Sequence, residues 1–288
     1  MRVEDAYSHC RAIAHKHGAN FSVGFRFLPA QKRKAVYAAY AWCRVADDIA
    51  DEPDSDTAED RAAKLQSLDA WQQELEACYA GTPSHTVTIA LADALRHFAI
   101  PKSAFIALLD GCRQDMVKSR YENFEELLHY CELVAWSISD ISLSIFGYRD
   151  DSAIEHGRHL ATALQLTNVT RDVGDDLERD RVYLPAEDLR RFDVAESSLR
   201  NDQETSAVRN LIEFQIQRAE SYFRLAEPLL RELDFDARFP VLLMGGVYAT
   251  VLGKLRSDPL AAIRSRLSLS TAQKLMVVGS RLIRPHFV

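Results

Sequence analysis

The sequence predicts an all-α protein built as one bundle of about ten helices. Apolar residues recur every three or four positions along almost the whole chain, which is the repeat of an amphipathic helix. Alternating β-branched residues, which are typical of strands, are nearly absent. No linker, internal repeat or low-complexity tract divides the chain, so we expect a single domain over residues 1–288.

The helices are placed by the apolar periodicity and by the residues that begin or end it. The periodic segments are 2–17, 30–52, 59–80, 85–98, 101–118, 123–147, 151–180, 203–232, 236–257 and 270–284. Pro29 and Pro101 suit first helical turns, whereas Pro185 follows a predicted helix end. Gly147 suits a helix C-terminus.

Composition and charge restrict the class of protein. Of 288 residues 47% are hydrophobic, enough for a large core, and the net charge of −7 argues against nucleic acids or anionic membranes as partners. The five cysteines are odd in number and scattered, which indicates neither a disulfide framework nor a zinc site and fits a reducing cytoplasm. No signal peptide or transmembrane stretch is evident, so any membrane contact would be peripheral.

The first acidic segment, residues 40–51, lies in a predicted helix with mostly apolar neighbours. Asp47 and Asp51 are four positions apart and therefore share one helix face, with Arg44 one turn earlier. Two carboxylates at this spacing can bind one hard divalent cation.

The second acidic segment, residues 165–176, repeats this arrangement. Asn168, Asp172 and Asp176 follow one another at four-residue intervals along one stripe, and Arg171 stands beside it. Ligands that are all oxygen, without histidine or cysteine, favour Mg²⁺ or Mn²⁺ over zinc. Two such stripes facing each other would clamp a diphosphate.

Acidic runs on helices are usually solvated surfaces, and this is the alternative for each segment. The flanking residues argue against it, because Tyr40, Trp42 and Ile49 border the first segment and Leu166 and Val169 border the second. Burying several carboxylates without a cation would be costly. The sequence therefore favours two metal-binding segments inside the bundle.

These residues resemble the squalene/phytoene synthase family. The similarity runs in order through Asn20–Pro29, Tyr37–Asp51, Asp115–Tyr121, Tyr130 and Leu164–Pro185. The last stretch is the most specific, because it joins the second acidic segment to the ending Arg-Val-Tyr-Leu-Pro.

The resemblance implies an isoprenoid-synthase helical bundle with a central active-site cavity, in which two aspartate motifs hold diphosphates through Mg²⁺. The implied metal ligands are Asp47, Asp48, Asp51, Asn168, Asp172 and Asp176. The residues implied in catalysis are Tyr40, Arg44, Arg171, Tyr183 and Tyr248. Those implied in substrate binding, mostly along a channel for the prenyl tails, are Phe21, Phe25, Tyr130, Val134, Ile138, Gln165 and Asn168.

The resemblance also implies the reaction, a head-to-head condensation of two farnesyl diphosphates through presqualene diphosphate to a C30 product. The alternative is a phytoene synthase that condenses two geranylgeranyl diphosphates. Trp136 and Ser139 replace glycines that the family commonly carries beside the tail channel. An inward Trp136 would shorten the channel and favour the C15 tail, whereas an outward one would only pack. No feature indicates a nicotinamide site, so NADPH is not predicted as a cofactor.

Two other kinds of protein share this sequence pattern in part. Some relatives are non-catalytic assembly factors that keep the fold and lose the acids, but Asp47, Asp51, Asp172 and Asp176 are intact. Head-to-tail elongases and terpene cyclases share the metal chemistry, but they normally lack the run from Asn168 to Pro185. The oligomeric state is left open by the sequence.

Overall fold

The structure is a computed structural model, and it describes residues 1–17, 24–51, 57–200, 205–264, 267–283 and 286–287. Within these ranges the chain is helical, with two isolated β-bridges and no strand. The all-α prediction is confirmed. The buried apolar residues form one contiguous cluster that reaches from Ala6 to Phe287.

The helices of the first half match the predicted segments closely. They are α1 (Val3–His17), α2 (Ala30–Asp51), α3 (Ala58–Tyr79), α4 (Thr86–Leu95), α5 (Lys102–Asp115), α6 (Phe124–Cys131) and α7 (Ser137–Phe146). Side-chain caps define several beginnings: Thr57 accepts from the Asp60 amide at 3.1 Å, and Asn123 accepts from the Glu126 amide at 2.9 Å.

The second half continues the bundle with long helices and several short ones. They are α8 (Ser152–Arg171), α9 (Val173–Glu178), α10 (Ala186–Arg191), α11 (Glu196–Arg200), α12 (Ser206–Ala226), α13 (Leu229–Glu232), α14 (Phe235–Ser257), α15 (Ala261–Arg264) and α16 (Thr271–Ile283). Helix α8 packs against α7, α12 and α14, so the second acidic segment begins near the centre of the bundle.

Three predicted helices are interrupted in the structure. A π-helical turn, Glu132–Trp136, separates α6 from α7 and adds a residue to the turn that faces α5. Asp172 leaves the helical conformation, with φ −99° and ψ 14°, and divides the predicted 151–180 helix into α8 and α9. Pro228 follows the end of α12, because proline cannot continue the hydrogen-bond pattern of the preceding turns.

Helix α14 has the length and apolar composition of a membrane-crossing helix, and it is the one described helix that does. More than half of its most apolar window is buried inside the bundle, as expected for a core helix. Its paired glycines allow close packing: a Cβ on Gly245 would lie 2.4 Å from the Phe287 ring, and one on Gly246 would lie 2.6 Å from Arg281 Nε. The five cysteines are all free and buried.

Candidate active site

A central cavity of about 380 Å³ lies between α2, the π turn with α7, α8 and α14. Four-residue and three-residue spacing places one stripe of α2 along it, from Val36 through Tyr40 and Arg44 to Asp47. The predicted residues that line this cavity are Phe25, Tyr40, Arg44, Asp47, Val134, Ile138, Gln165, Asn168 and Tyr248. The structure thus brings residues from both acidic segments to one cavity, although Asp172 and Asp176 are not among its lining residues.

The cavity has a polar mouth and an apolar interior. Asp47, Arg44, Gln165 and Asn168 lie at the C-terminal halves of α2 and α8. Toward the N-terminal halves of the same helices the lining becomes apolar, with Val36 on α2 and Leu160 on α8. A ligand with a charged head and a hydrocarbon tail fits this division.

Asp47 is the carboxylate of the first acidic segment that faces the cavity. Burial raises its pKa to about 7, opposed by Arg44 and reinforced by the neighbouring acids Asp51 and Asp48. The Cys112 thiol approaches its Oδ1 at 3.9 Å. Asp48, one residue on, is half exposed and pairs with Arg44.

Asp51 does not line this cavity but a separate pocket, together with Asp115 and Arg181. Its carboxylate is about half exposed, and Arg181 Nη1 lies 3.7 Å from its Oδ1. This ion pair connects the end of α2 to the loop that follows α9, so it joins the first acidic segment to the chain just beyond the second.

The second acidic segment crosses the break at Asp172. Arg171 is nearly buried, and its Nε donates to Asp172 Oδ1 at 2.7 Å. Burial and the negative charge of Asp172 raise the pKa of Asp176 to about 7, opposed by Arg181 and Arg179. Both segments therefore combine arginine-paired carboxylates, Asp48 and Asp51 in the first and Asp172 in the second, with one poorly solvated acid.

Asn168 has an amide oxygen that is buried without a hydrogen-bond donor, while its Nδ2 donates to Gln165 Oε1 at 3.3 Å. A buried acceptor without a donor is unusual in a native protein, so this oxygen is available to bind a ligand. An amide oxygen beside carboxylates fits a hard cation such as Mg²⁺. Among the described residues, no group of three or more His, Cys, Asp or Glu could bind a metal by itself.

Asp115 lies between the two acidic segments. It accepts hydrogen bonds from Tyr130 at 2.7 Å and from Tyr183 at 2.9 Å. Its charge acts on both Asp47 and Asp176 and raises the pKa of each. The tyrosine donors are the signal that identifies it, and they become visible only in three dimensions.

Tyr130 and Tyr183 do not line the cavity but form an aromatic cluster around Asp115. Their ring centroids are 5.3 Å apart, and Tyr183 stacks on Tyr121 at 5.6 Å. Burial raises the pKa of Tyr130 and Tyr183 far above the ordinary value, so both phenols stay protonated. In the cavity itself, burial raises the pKa of Tyr40 to about 12.

Trp136 points away from the cavity. Its indole Nε1 donates to Thr162 Oγ1 at 2.8 Å, and the Arg158 guanidinium lies 5.2 Å from its ring centroid. Val134 and Ile138 line the cavity from the same stretch, since the π turn directs Trp136 toward the outer side of α8. Of the two orientations that the sequence leaves open for Trp136, the structure has the outward one, so Trp136 does not shorten the cavity. Phe21 lies outside the described residues.

The chain belongs to the squalene/phytoene synthase family, whose model matches residues 14–273. It is a prenyltransferase of that family. It is 35% identical to 15-cis-phytoene synthase of Synechocystis sp., over 98% of this chain and 86% of that protein. Phytoene synthase of Arthrospira platensis is 34% identical, over 97% of this chain and 93% of its own length.

Solved structures share the fold over most of their length. A dehydrosqualene synthase in complex with ligand superimposes with a TM-score of 0.88 at 27% identity, covering 96% of this chain and 95% of that one. A squalene synthase from Alicyclobacillus acidocaldarius gives 0.82 at 28% identity, covering 89% of this chain and 95% of that one. The helical family fold implied by the sequence is confirmed.

Proposed function

We propose that this prenyltransferase condenses two geranylgeranyl diphosphates head to head, as a phytoene synthase. The observation that carries the proposal is one cavity with Asp47, Arg44 and Asn168 at its polar end and an apolar interior. The relatives that are 34–35% identical over nearly the whole chain are named phytoene synthases. The argument that an inward Trp136 favours the C15 tail of farnesyl diphosphate does not apply, because the Trp136 indole is bonded to Thr162 and does not line the cavity.

In this proposal Asp47, Asp51, Asn168, Asp172 and Asp176 hold Mg²⁺, with Asp48 directed instead to Arg44. Bound Mg²⁺ would neutralise the charge that develops on the departing diphosphate. Few protein ligands per ion are expected, since Mg²⁺ usually keeps water and substrate phosphate oxygens. The buried Asn168 oxygen supports this assignment independently of the acids.

The remaining residues orient the substrate and protect a carbocation. Arg44 lines the mouth and can contact diphosphate oxygens, while Asp172 holds Arg171 in place. Loss of diphosphate leaves an allylic cation, which the double bond of the second substrate attacks before a proton is lost. The rings of Tyr40 and Tyr248 line the cavity and offer π faces to such cations.

The experiment is product analysis by mass spectrometry, with purified protein, Mg²⁺ and either geranylgeranyl or farnesyl diphosphate, with and without NADPH. A C40 product from the C20 substrate is expected, and NADPH should make no difference. A C30 product from the C15 substrate alone would establish the farnesyl reaction, which the structural similarity to dehydrosqualene synthase favours. No product from either substrate would point to a non-catalytic relative.

We also propose that the hydrocarbon product passes to a membrane that the enzyme contacts peripherally. Phe27 and Phe235 are 52% and 82% exposed, and Phe27 packs edge-on against Phe239 at 5.0 Å. Exposed aromatic rings of this kind insert into lipid interfaces. Vesicle flotation should show binding that Phe27→Ser with Phe235→Ser abolishes and Val117→Ser, 70% exposed elsewhere, preserves. Equal flotation of both variants would refute this contact.

A further inference from the structure

A partly buried lysine lies beyond the apolar end of the cavity. Lys32 Nζ donates to the Phe146 carbonyl at 2.6 Å, to Asp236 Oδ1 at 2.7 Å and to Asp234 Oδ2 at 3.2 Å. Its side chain is only 16% exposed. These four residues, here named the Lys32 cluster, tie the first turn of α2 to the end of α7 and the start of α14.

The Lys32 cluster lies directly behind the cavity wall. Val36, one turn after Lys32, lines the cavity, as do Phe146, Leu229 and Val241. Val36 and Asp47 are eleven residues apart on α2, which corresponds to about 16 Å along the helix axis. A prenyl tail whose diphosphate lies near Asp47 would therefore extend toward Phe146.

The backbone behind Phe146 is held by further contacts. Gly147 ends α7 with φ +76°, and a Cβ added there would lie within 2.2 Å of Asp234 Oδ2. The Asp234 amide donates to the Gly147 carbonyl at 3.1 Å, and the Arg149 amide donates to Glu232 at 2.9 Å. The end of α7 thus cannot shift without breaking this pairing.

Loss of Lys32 would remove three of the contacts that hold the end of α7 in place. Asp234 and Asp236 would then face each other without the ammonium that neutralises them, and the Phe146 carbonyl would lose its donor. The charge that fixes the wall lies outside the cavity, so it takes no part in binding a diphosphate head.

We propose that Phe146, held in place by the Lys32 cluster, is the end wall that sets the longest prenyl tail the enzyme accepts. Phe146 is then a specificity-determining residue, and Lys32 is a positioning residue that acts through it. This inference rests on the proposed condensation of prenyl diphosphates. It adds the residues that limit the length of the prenyl tail.

The test compares kcat/KM for two prenyl diphosphates: the one that the wild type prefers and the one longer by a single isoprene unit. Phe146→Ala should raise the ratio of longer to preferred substrate on the order of 10-fold or more, the scale for added methylene groups in an apolar pocket. Lys32→Met should raise it several-fold, about half that effect on a logarithmic scale. Lys34→Met is the control, because Lys34 is exposed on the same helix and pairs with Glu4.

A ratio is independent of how much of each variant is folded, so a general loss of stability does not mimic the effect. Phe146→Leu provides a milder variant with a smaller rise if the alanine variant fails to fold. An unchanged ratio in both Phe146 variants would overturn the proposal, and an unchanged ratio in Lys32→Met would remove the positioning role. Wild-type turnover of the preferred substrate tests the proposed function separately.

Discussion

The two ends of the central cavity are formed by the same helices but stabilised in different ways. At the polar end, Asp47 on the cavity wall and Asp176 on α9, which follows the polar end of α8, are poorly solvated acids with pKa values raised to about 7. At the closed end, Phe146 packs in an apolar wall and the charges of the Lys32 cluster lie behind it. A bound cation would offset the desolvation and mutual repulsion of these acids, whereas the apolar closed end needs no charged ligand.

This difference separates two kinds of effect. Substitutions at the mouth should lower turnover on every substrate, because the charge they remove acts on the diphosphate that all substrates share. Substitutions at the closed end should change which tail is accepted and leave the chemistry intact. The predictions below test that division from the largest expected effect to the smallest.

Asp47→Asn and Asp176→Asn should each lower kcat on the order of 10²–10³-fold, as expected when one preorganised charge is lost from an active site. Asp48→Asn is the matched control, since Asp48 is half exposed and pairs with Arg44. It should lower kcat only a few-fold. Steady-state kinetics at saturating Mg²⁺ measures all three variants. A larger loss of kcat in Asp48→Asn than in Asp47→Asn would mean that Asp48, and not Asp47, faces the cavity.

Asp172→Asn should lower Mg²⁺-dependent turnover strongly and also destabilise the fold by about 1–3 kcal/mol, because a nearly buried Arg171 loses its charged partner. Chemical denaturation measures the second effect. Unchanged turnover at full stability would mean that Asp172 takes no part in Mg²⁺-dependent catalysis.

The contribution of Asp47 and Asp176 to the stability of the metal-free protein should fall as pH rises from about 4 to about 7. Asp47 and Asp176 bind protons more tightly in the folded chain, whose pKa values are about 7, than in the unfolded chain. The stability they contribute is present below the unfolded pKa and is lost as pH passes through the folded pKa. Thermal unfolding in EDTA should show this fall, and Asp47→Asn should flatten it.

Added Mg²⁺ should restore stability near pH 7 and have little effect near pH 5, where protonated carboxylates bind it poorly. A pH profile that stays the same with and without Mg²⁺ would contradict the view that the mouth is built for a cation.

Trp136→Phe should leave the preference between C20 and C15 substrates unchanged, because the indole lies outside the cavity. The lost hydrogen bond to Thr162 should cost about 1 kcal/mol of folding stability. Parallel kinetics with both substrates, beside Phe146→Ala, distinguishes a packing residue from a wall residue. A changed preference between C20 and C15 substrates in Trp136→Phe would mean that Trp136 lines the cavity after all.

Sequence periodicity predicted the long helices to within a few residues, because amphipathic patterning and helix boundaries are local properties. The interruptions were not predictable in the same way. Asp172 continues the apolar and acidic pattern, yet the chain leaves the helix there, and the π turn at Glu132–Trp136 carries no proline or glycine. Both depend on packing against other helices.

By itself the sequence determined the helical class, the spacing of Asp47 with Asp51 and of Asn168 with Asp172 and Asp176, and the family. Only the tertiary structure decided which of two adjacent acids faces the cavity and which way Trp136 points. It also joined Lys32 to Asp234, which lies 202 positions away. The physical reason is that spacing fixes which residues share a helix face, whereas the packing of distant helices decides what that face meets.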